Sequence, residues 1–303
     1  MLKKIPLPFT GVMLGFAALG NLLQSYSEQV RLGCGILAAL IGLVVLLKIV
    51  IYPKDFLEDM KQPVTASVFG TFSMAIMLLS VYAKPLFGSK AVILWFIGLG
   101  LHILLILYFT FKFILKFDIK KVFASYFIVY VGIAVASVSA PAFGQTQIGT
   151  YAFWFAFITF IALLFIVGYR YLKYRDIPEP ARPLFCIFTA PMSLCLAGYF
   201  QSVTPKSKGF VIGMAIVAVA LFIVVLFRLS RFLKLKFYPS YASFTFPFVI
   251  SAIAMKQTYL FLQMQDIKVR GLITLIQFET LLATVLVLYA FARYCIHIFK
   301  KSN

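Results

Sequence analysis

"PSYASFTFPFVISAI", residues 239–253, places Pro239 and Pro247 in an otherwise apolar run, with Phe244 and Phe246 flanking Thr245 just before the second proline. A proline inside a helix removes a hydrogen bond and clashes with the preceding turn, at a cost of roughly 3 kcal/mol. The stretch decides the fold because its opening recurs. "PLPFTGVML" begins at residue 6, "PVTASVFGT" at 63, "KVFASYFIV" at 121 and "RPLFCIFTAP" at 182. The anchors Pro6, Pro63, Lys121, Pro183 and Pro239 lie 57, 58, 62 and 56 residues apart. A fixed period of that size marks a repeated supersecondary unit.

Each period is long enough for two membrane crossings. The chain has 303 residues, of which 63% are hydrophobic and 12% charged, and a mean hydropathy of +1.00. A crossing takes about 20 mostly apolar residues. The sequence predicts ten spans, near 7–25, 32–52, 63–83, 91–114, 122–144, 147–170, 183–204, 209–231, 238–262 and 270–298. "PAFGQTQIG" divides the long uncharged run from Val122 to Tyr169. The fold class expected is an all-α polytopic membrane protein, one domain over 1–303, in five hairpin repeats near 6–52, 63–114, 121–172, 183–233 and 239–299. The first span reads as a permanent helix, since no small-residue cleavage site follows it.

Lys and Arg in short loops set the orientation. Twenty of the 28 fall on the termini and even-numbered loops, among them Lys48, Arg170, Arg175, Arg228, Arg231 and Lys301. Both termini are therefore expected in the cytoplasm, and the net charge of +19 is mainly a topology signal. No loop is long enough for a nucleic-acid-binding domain. The four scattered cysteines fit neither a zinc site nor a disulfide framework. No P-loop, GxSxG, HExxH or CxxC is present, so neither an enzyme nor a metal or cofactor is expected.

The odd spans carry hydroxyl and small residues, such as Thr65, Ser67, Thr71, Ser193, Ser243 and Thr245, whereas the second span contains no Ser or Thr and the eighth only Ser230, near its end. Small residues allow helices to approach closely, and bulky aliphatics suit lipid. The odd spans are expected inside, in a quasi-fivefold ring, and the even spans outside. A ring of five helices leaves an axial hole; the competing arrangement is a solid bundle. Superposing the repeats puts Met13, Gly70, Ile128, Ala190 and Phe246 at one level as pore lining, with Phe246 as the gate. Pro191 and Pro247 are expected to kink their helices. As a competing reading, Phe246 is a packing aromatic.

Few charges are intramembrane. Lys256 and Glu279 lie about 15 and about 20 Å from the hairpin near Asp266, at 1.5 Å per residue. They are expected either to pair or to leave Lys256 attracting anions at an outer vestibule. His102 reads as a polar packing residue rather than a proton relay. The inner spans lack carboxylates, so there is no acidic ring for cations, and the cheapest permeant species is an anion.

"PLPFTGVMLGFAALG" in the first span and "SFTFPFVISAIA" in the ninth resemble the tellurite-resistance/dicarboxylate transporter family, which includes bacterial TehA proteins and the slow anion channels of plant guard cells. The resemblance covers essentially the whole chain. It implies a homotrimer in the plasma membrane, one pore per protomer, and an occluding phenylalanine at Phe246 in its "FTFP" context. It also implies transport of anions such as chloride, nitrate, sulfite or C4-dicarboxylates. The sequence departs from the family where Thr71 and Val129 stand in place of mid-span prolines. The alternative function is a proton-coupled C4-dicarboxylate carrier, for which Glu279 is the sole acidic candidate.

Overall fold

The computed structural model describes residues 2–174 and 176–300; Arg175 and Lys301 of the charge count lie outside them. All regular structure among the described residues is helical. The α-helices are α1 (Phe9–Leu23), α2 (Glu28–Ile51), α3 (Pro53–Asp59), α4 (Pro63–Phe87), α5 (Ala91–Phe109), α6 (Tyr126–Tyr130), α7 (Ala134–Ser139), α8 (Thr146–Lys173), α9 (Ala190–Ser202), α10 (Lys208–Leu233), α11 (Phe246–Gln263) and α12 (Leu272–Phe299). Seven helical segments among the described residues are long and apolar enough to cross a membrane. One of them, Pro63–Ile114, contains both α4 and α5, which fold back and pack along each other.

Each inner helix packs on the next in sequence and on two others. Hairpin contacts join α1 to α2, α4 to α5, α7 to α8, α9 to α10 and α11 to α12. Further contacts join α1 to α4, α4 to α6 and α7, α7 to α9, α9 to α11, and α11 back to α1. Burial follows the division expected of the odd and even spans. Glu179–Ser202 is 94% buried over its apolar window, whereas Lys208–Leu233 is 28% buried. The exposed side chains of α2, α5, α8, α10 and α12 are largely Leu, Ile, Val and Phe, as contact with acyl chains demands.

Both termini sit at one end of the bundle, where Lys4 Nζ donates to the Lys300 carbonyl at 3.3 Å. The buried Lys48 donates to the Ile5 carbonyl at 2.6 Å and faces Asp59 at 3.6 Å. The buried Arg170 pairs with Asp176 at 3.0 Å and donates to the carbonyls of Tyr174 and Lys120. The basic residues buried at this end are thus paired, as desolvated charges must be.

The proline-marked segments differ from the expectation of kinked α-helices. Glu179–Thr189 and Pro239–Phe244 are 3-10 helices, and α9 and α11 start only after them. Pro191 and Pro247 lie in the first turns of α9 and α11. There the missing N–H has no intrahelical acceptor to lose and the fixed φ suits a helix start. The prolines begin helices rather than bend them. The expected fifth span is also broken, although it has no proline at Val129. α6 ends at Tyr130 and α7 starts at Ala134, with Gly132 between. A Cβ on Gly132 would lie 2.8 Å from Met74 Sδ and 3.0 Å from His102 Cε1, so the bare backbone lets α4 and α5 close on the break. His102 Nε2 meets the Val129 carbonyl at 3.0 Å and its Nδ1 meets Ser73 Oγ at 2.8 Å. Since a carbonyl only accepts, the Nε2–H tautomer satisfies both contacts. His102 is thereby the packing residue that supplies a donor where the helix gives one up.

Close approach governs the junction before α11. A Cβ on Gly15 would lie 2.5 Å from Thr245 Cβ and 3.4 Å from the Phe246 nitrogen, and one on Gly11 would lie 2.8 Å from Ala242 Cβ. Thr245 Oγ1 donates across the contact to the Gly11 carbonyl at 2.8 Å. Overpacking a tight core contact costs about 1–3 kcal/mol. Gly15→Ala is therefore expected to lower the thermal midpoint of the purified protein. A second, distant small-residue site with open space, Gly33→Ala, is expected to leave the midpoint unchanged. His102→Leu is expected to cost about 1–3 kcal/mol in the same measurement, because it orphans the Val129 carbonyl.

Candidate permeation path

Two cavities lie among α1, α4, α6, α7, α9 and α11. The first has a volume of about 40 Å³ and is lined by Gly11, Thr71, Ile128, Ala190, Pro191 and Phe246, together with apolar neighbours and the hydroxyl-bearing Ser240 and Ser243. A water needs at least about 10–15 Å³ on this measure, so the space holds about two or three waters. The second, of about 260 Å³, is lined by the amides Asn21, Gln24, Gln201 and Gln257 and by Ile250, Ile253 and other apolar groups. Among the described residues, only Phe246 and Leu194 line both cavities. Their exposures are 5% and 2%. A phenyl ring and an isobutyl group thus belong to the walls of both an apolar chamber and a wider, amide-lined one.

The geometry that presents Phe246 comes from the break before it. Phe246, Ile250, Ile253 and Gln257 recur at helical spacing along one face of α11, and all four line the second cavity. Because α11 starts at Phe246, the ring sits at the helix's first residue, where its backbone N–H has no partner four residues back.

The sequence-predicted lining is divided by the structure. Ile128, Ala190 and Phe246 line the first cavity. Met13 and Gly70 do not. Met13 Cε lies where a Cβ on Gly42 of α2 would be, at 2.6 Å, and a Cβ on Gly70 would meet Leu105 at 2.8 Å and His102 at 3.7 Å on α5. Their places are taken by Gly11 and Thr71, and Thr71 Oγ1 meets Thr10 Oγ1 at 2.8 Å between α4 and α1. Leu194 and the four amides escaped the sequence reading. Each looks like an ordinary span or loop residue, and the only signal for Leu194 was its helical spacing from Ala190.

Among the described residues, neither cavity has an acidic or a basic side chain in its lining. Charge enters at the rim of the second. Arg31, 8% exposed, pairs with Glu28, lies over the Tyr82 ring at 4.5 Å and donates through Nε to Asn21 Oδ1 at 3.4 Å. That bond occupies the oxygen of Asn21 and leaves its NH2 as the free end. Lys256 does not pair with Glu279: it donates to Ser25 Oγ at 2.5 Å and lies over Tyr26 at 5.6 Å. Glu279 is fully buried beside Ser251, and neither carboxyl oxygen has a hydrogen bond that meets standard geometry among the described residues. Ser251 lies on the side of α11 away from the Phe246–Gln257 face, so Glu279 is behind the helix and lines neither cavity. The two groups were placed at similar depth by counting, but the rotation of α11 turns them to different neighbours.

A helical membrane protein with an acid-free internal passage has the ingredients of an anion path rather than a cation filter. The chain belongs to the voltage-dependent anion channel family, whose model matches residues 4–295. No curated protein matches the chain.

The lining predicts a difference in chemical access. In a cysteine-free background carrying Phe246→Ala, Thr71→Cys is expected to react with a small anionic methanethiosulfonate, whereas Met13→Cys is expected to stay unmodified. Mass spectrometry of the labelled protein reads both.

Proposed function

We propose that the protein is a channel or channel-like transporter for small inorganic or organic anions, closed by Phe246 with Leu194 as its partner. The observation that carries the reading is that these two apolar side chains are the only ones among the described residues that line both cavities. An apolar constriction resists an ion because no group there replaces its hydration shell, and such constrictions gate pores by dewetting. The family supports the anion class. The amides at the wider chamber supply N–H donors, and an anion there meets no carboxylate.

The architecture proposed with this function is ten crossings as five hairpin repeats. The contacts of α1, α4, α6–α7, α9 and α11 support a ring with quasi-fivefold symmetry about the path. The excess of Lys and Arg at the end carrying both termini supports cytoplasmic termini. Family resemblance supports a homotrimer in the plasma membrane with one path per protomer; the bulky apolar faces of the even-span helices suit both lipid and neighbouring protomers. The proton-coupled dicarboxylate carrier has less support. It needs a titratable group on the substrate path, and Glu279 sits behind α11.

Phe246→Ala is expected to raise anion current in planar bilayers at least about tenfold, the effect of removing only ~1.4 kcal/mol from a barrier. Leu194→Ala is expected to raise it less. An unchanged current in a well-folded Phe246→Ala protein would falsify the gate. Proton-driven flux that disappears in Glu279→Gln would establish the carrier instead.

A further inference from the structure

A second concave site lies outside the path, at the end of the bundle that carries the termini. It is a groove of about 660 Å³ between α8, the 3-10 segment Glu179–Thr189 and α10. That volume is within the range of about 300–1,000 Å³ typical of small-molecule sites. Its lining includes Arg182, Arg228 and Arg231 and no carboxylate. Five basic groups elsewhere at this end are in ion pairs: Lys3 with Asp55, Lys48 with Asp59, Lys61 with Glu58, Lys121 with Asp118 and Arg170 with Asp176; others, such as Lys54 and Lys112, stand exposed outside the groove. None of the three groove arginines is in an ion pair among the described residues.

The groove is shaped as well as charged. Arg228 lies over the Phe185 ring at 4.6 Å, and Arg182 Nε donates to the Ile177 carbonyl at 3.4 Å. Arg231 has no hydrogen bond, ion pair or ring contact among the described residues, so its five donors are free. The remaining wall is apolar and aromatic, from Tyr171, Leu172, Phe185, Phe232 and Leu235. Leu172 is 81% exposed, and Phe227, which precedes Arg228, is 79% exposed. Guanidinium groups at one side and apolar rim at the other match a ligand with an anionic head and a hydrocarbon tail. Three like charges in one groove repel until an anion joins them. The planar fork of arginine suits the oxygens of a phosphate.

We propose that this groove binds the phosphate headgroup of an anionic phospholipid from the adjoining leaflet. Basic pockets between membrane helices near the interface are suited to such headgroups. The site is independent of the anion-path reading, though the two share a wall. Phe185 stacks against Arg228, while Leu184 and Ile187 of the same 3-10 segment line the first cavity. Lipid in the groove thus rests against the back of a path-lining element.

The test is native mass spectrometry of the full chain in detergent, titrated with phosphatidylglycerol or with phosphatidylcholine, with and without inorganic phosphate. Phosphatidylglycerol is expected to bind more tightly than phosphatidylcholine and to stay bound when inorganic phosphate is added. Arg228→Gln with Arg231→Gln is expected to weaken it by about fivefold per arginine, the effect of roughly 1 kcal/mol each. Lys54→Gln with Lys112→Gln removes the same charge from exposed positions away from the groove and is expected to leave affinity unchanged. Equal affinity in the arginine variant, equal loss in the lysine variant, or displacement by inorganic phosphate each overturns the proposal, the last by marking a site for soluble phosphate. Should the double variant fail to fold through loss of the Phe185 contact, Arg231→Gln alone decides. Its side chain makes no hydrogen bond, ion pair or ring contact among the described residues, so an unchanged affinity for phosphatidylglycerol overturns the proposal.

Discussion

A helix that starts or stops within hydrocarbon leaves backbone donors and acceptors with no water to take them, and each one left open costs several kcal/mol. That requirement organises the interior of this protein. The chain breaks regular α-helix before α9, before α11 and between α6 and α7. Before α9 and between α6 and α7 a side chain from another element meets a carbonyl of the broken segment, and before α11 Thr245 of the break itself reaches a carbonyl of α1. Ser243 Oγ donates to the Pro183 carbonyl at 2.6 Å, Thr245 to Gly11 at 2.8 Å and His102 to Val129 at 3.0 Å. The same pattern recurs away from the breaks, where Ser202 Oγ donates to the Ser137 carbonyl at 2.6 Å and Tyr82 OH to the Ala17 carbonyl at 2.7 Å. The hydroxyls of the inner segments therefore do more than keep side chains small. They bond neighbouring elements through backbone carbonyls, some in the broken segments, as at Pro183, and some within a helix, as at Gly11 and Ala17 of α1.

The breaks also shape the first cavity. A 3-10 segment is narrower than an α-helix and turns its side chains at a different angle, so it presents another set of residues to the centre. Leu184 and Ile187 reach the first cavity from one such segment, and Ser240, Ala242 and Ser243 from another. Where α11 begins, Gly11 and Gly15 let α1 press against Ala242 and Thr245, and this contact holds the base of Phe246. The ring is thus fixed by backbone packing behind it, while the space on either side is left open. In the proposed reading, an apolar side chain held on this junction closes the path without a charged group.

Much of the fold was legible in local chemistry. The 56–62 residue spacing of the repeat openings, the run lengths and the placement of Lys and Arg are properties of the chain read in order. So was the role of Phe246 as a cavity-lining residue, because the bulky ring beside Pro247 stood out against small residues in the other repeats. The level of the remaining lining was misjudged at Met13 and Gly70. Residue counting assumes one rise per residue throughout, but a 3-10 helix rises about 0.5 Å more per residue than an α-helix. Repeats that differ in 3-10 content therefore slip against one another, and a slip of one residue turns a side chain by about 100°. Gly11 and Thr71 face the cavity, while Met13 faces α2 and Gly70 faces α5.

The amino-acid sequence by itself determined that this chain lives in a membrane, that similar segment openings recur every 56–62 residues, and that the odd-numbered spans carry no carboxylate. These follow from hydrophobicity, period and charge, which need no partner. Tertiary structure alone decided that the prolines start helices, that Leu194 joins Phe246 between the cavities, and that Lys256 reaches Ser25 while Glu279 is enclosed behind α11. Those outcomes depend on how each helix is rotated about its axis. Rotation is set by packing among elements far apart in the chain, so no local run of residues encodes it.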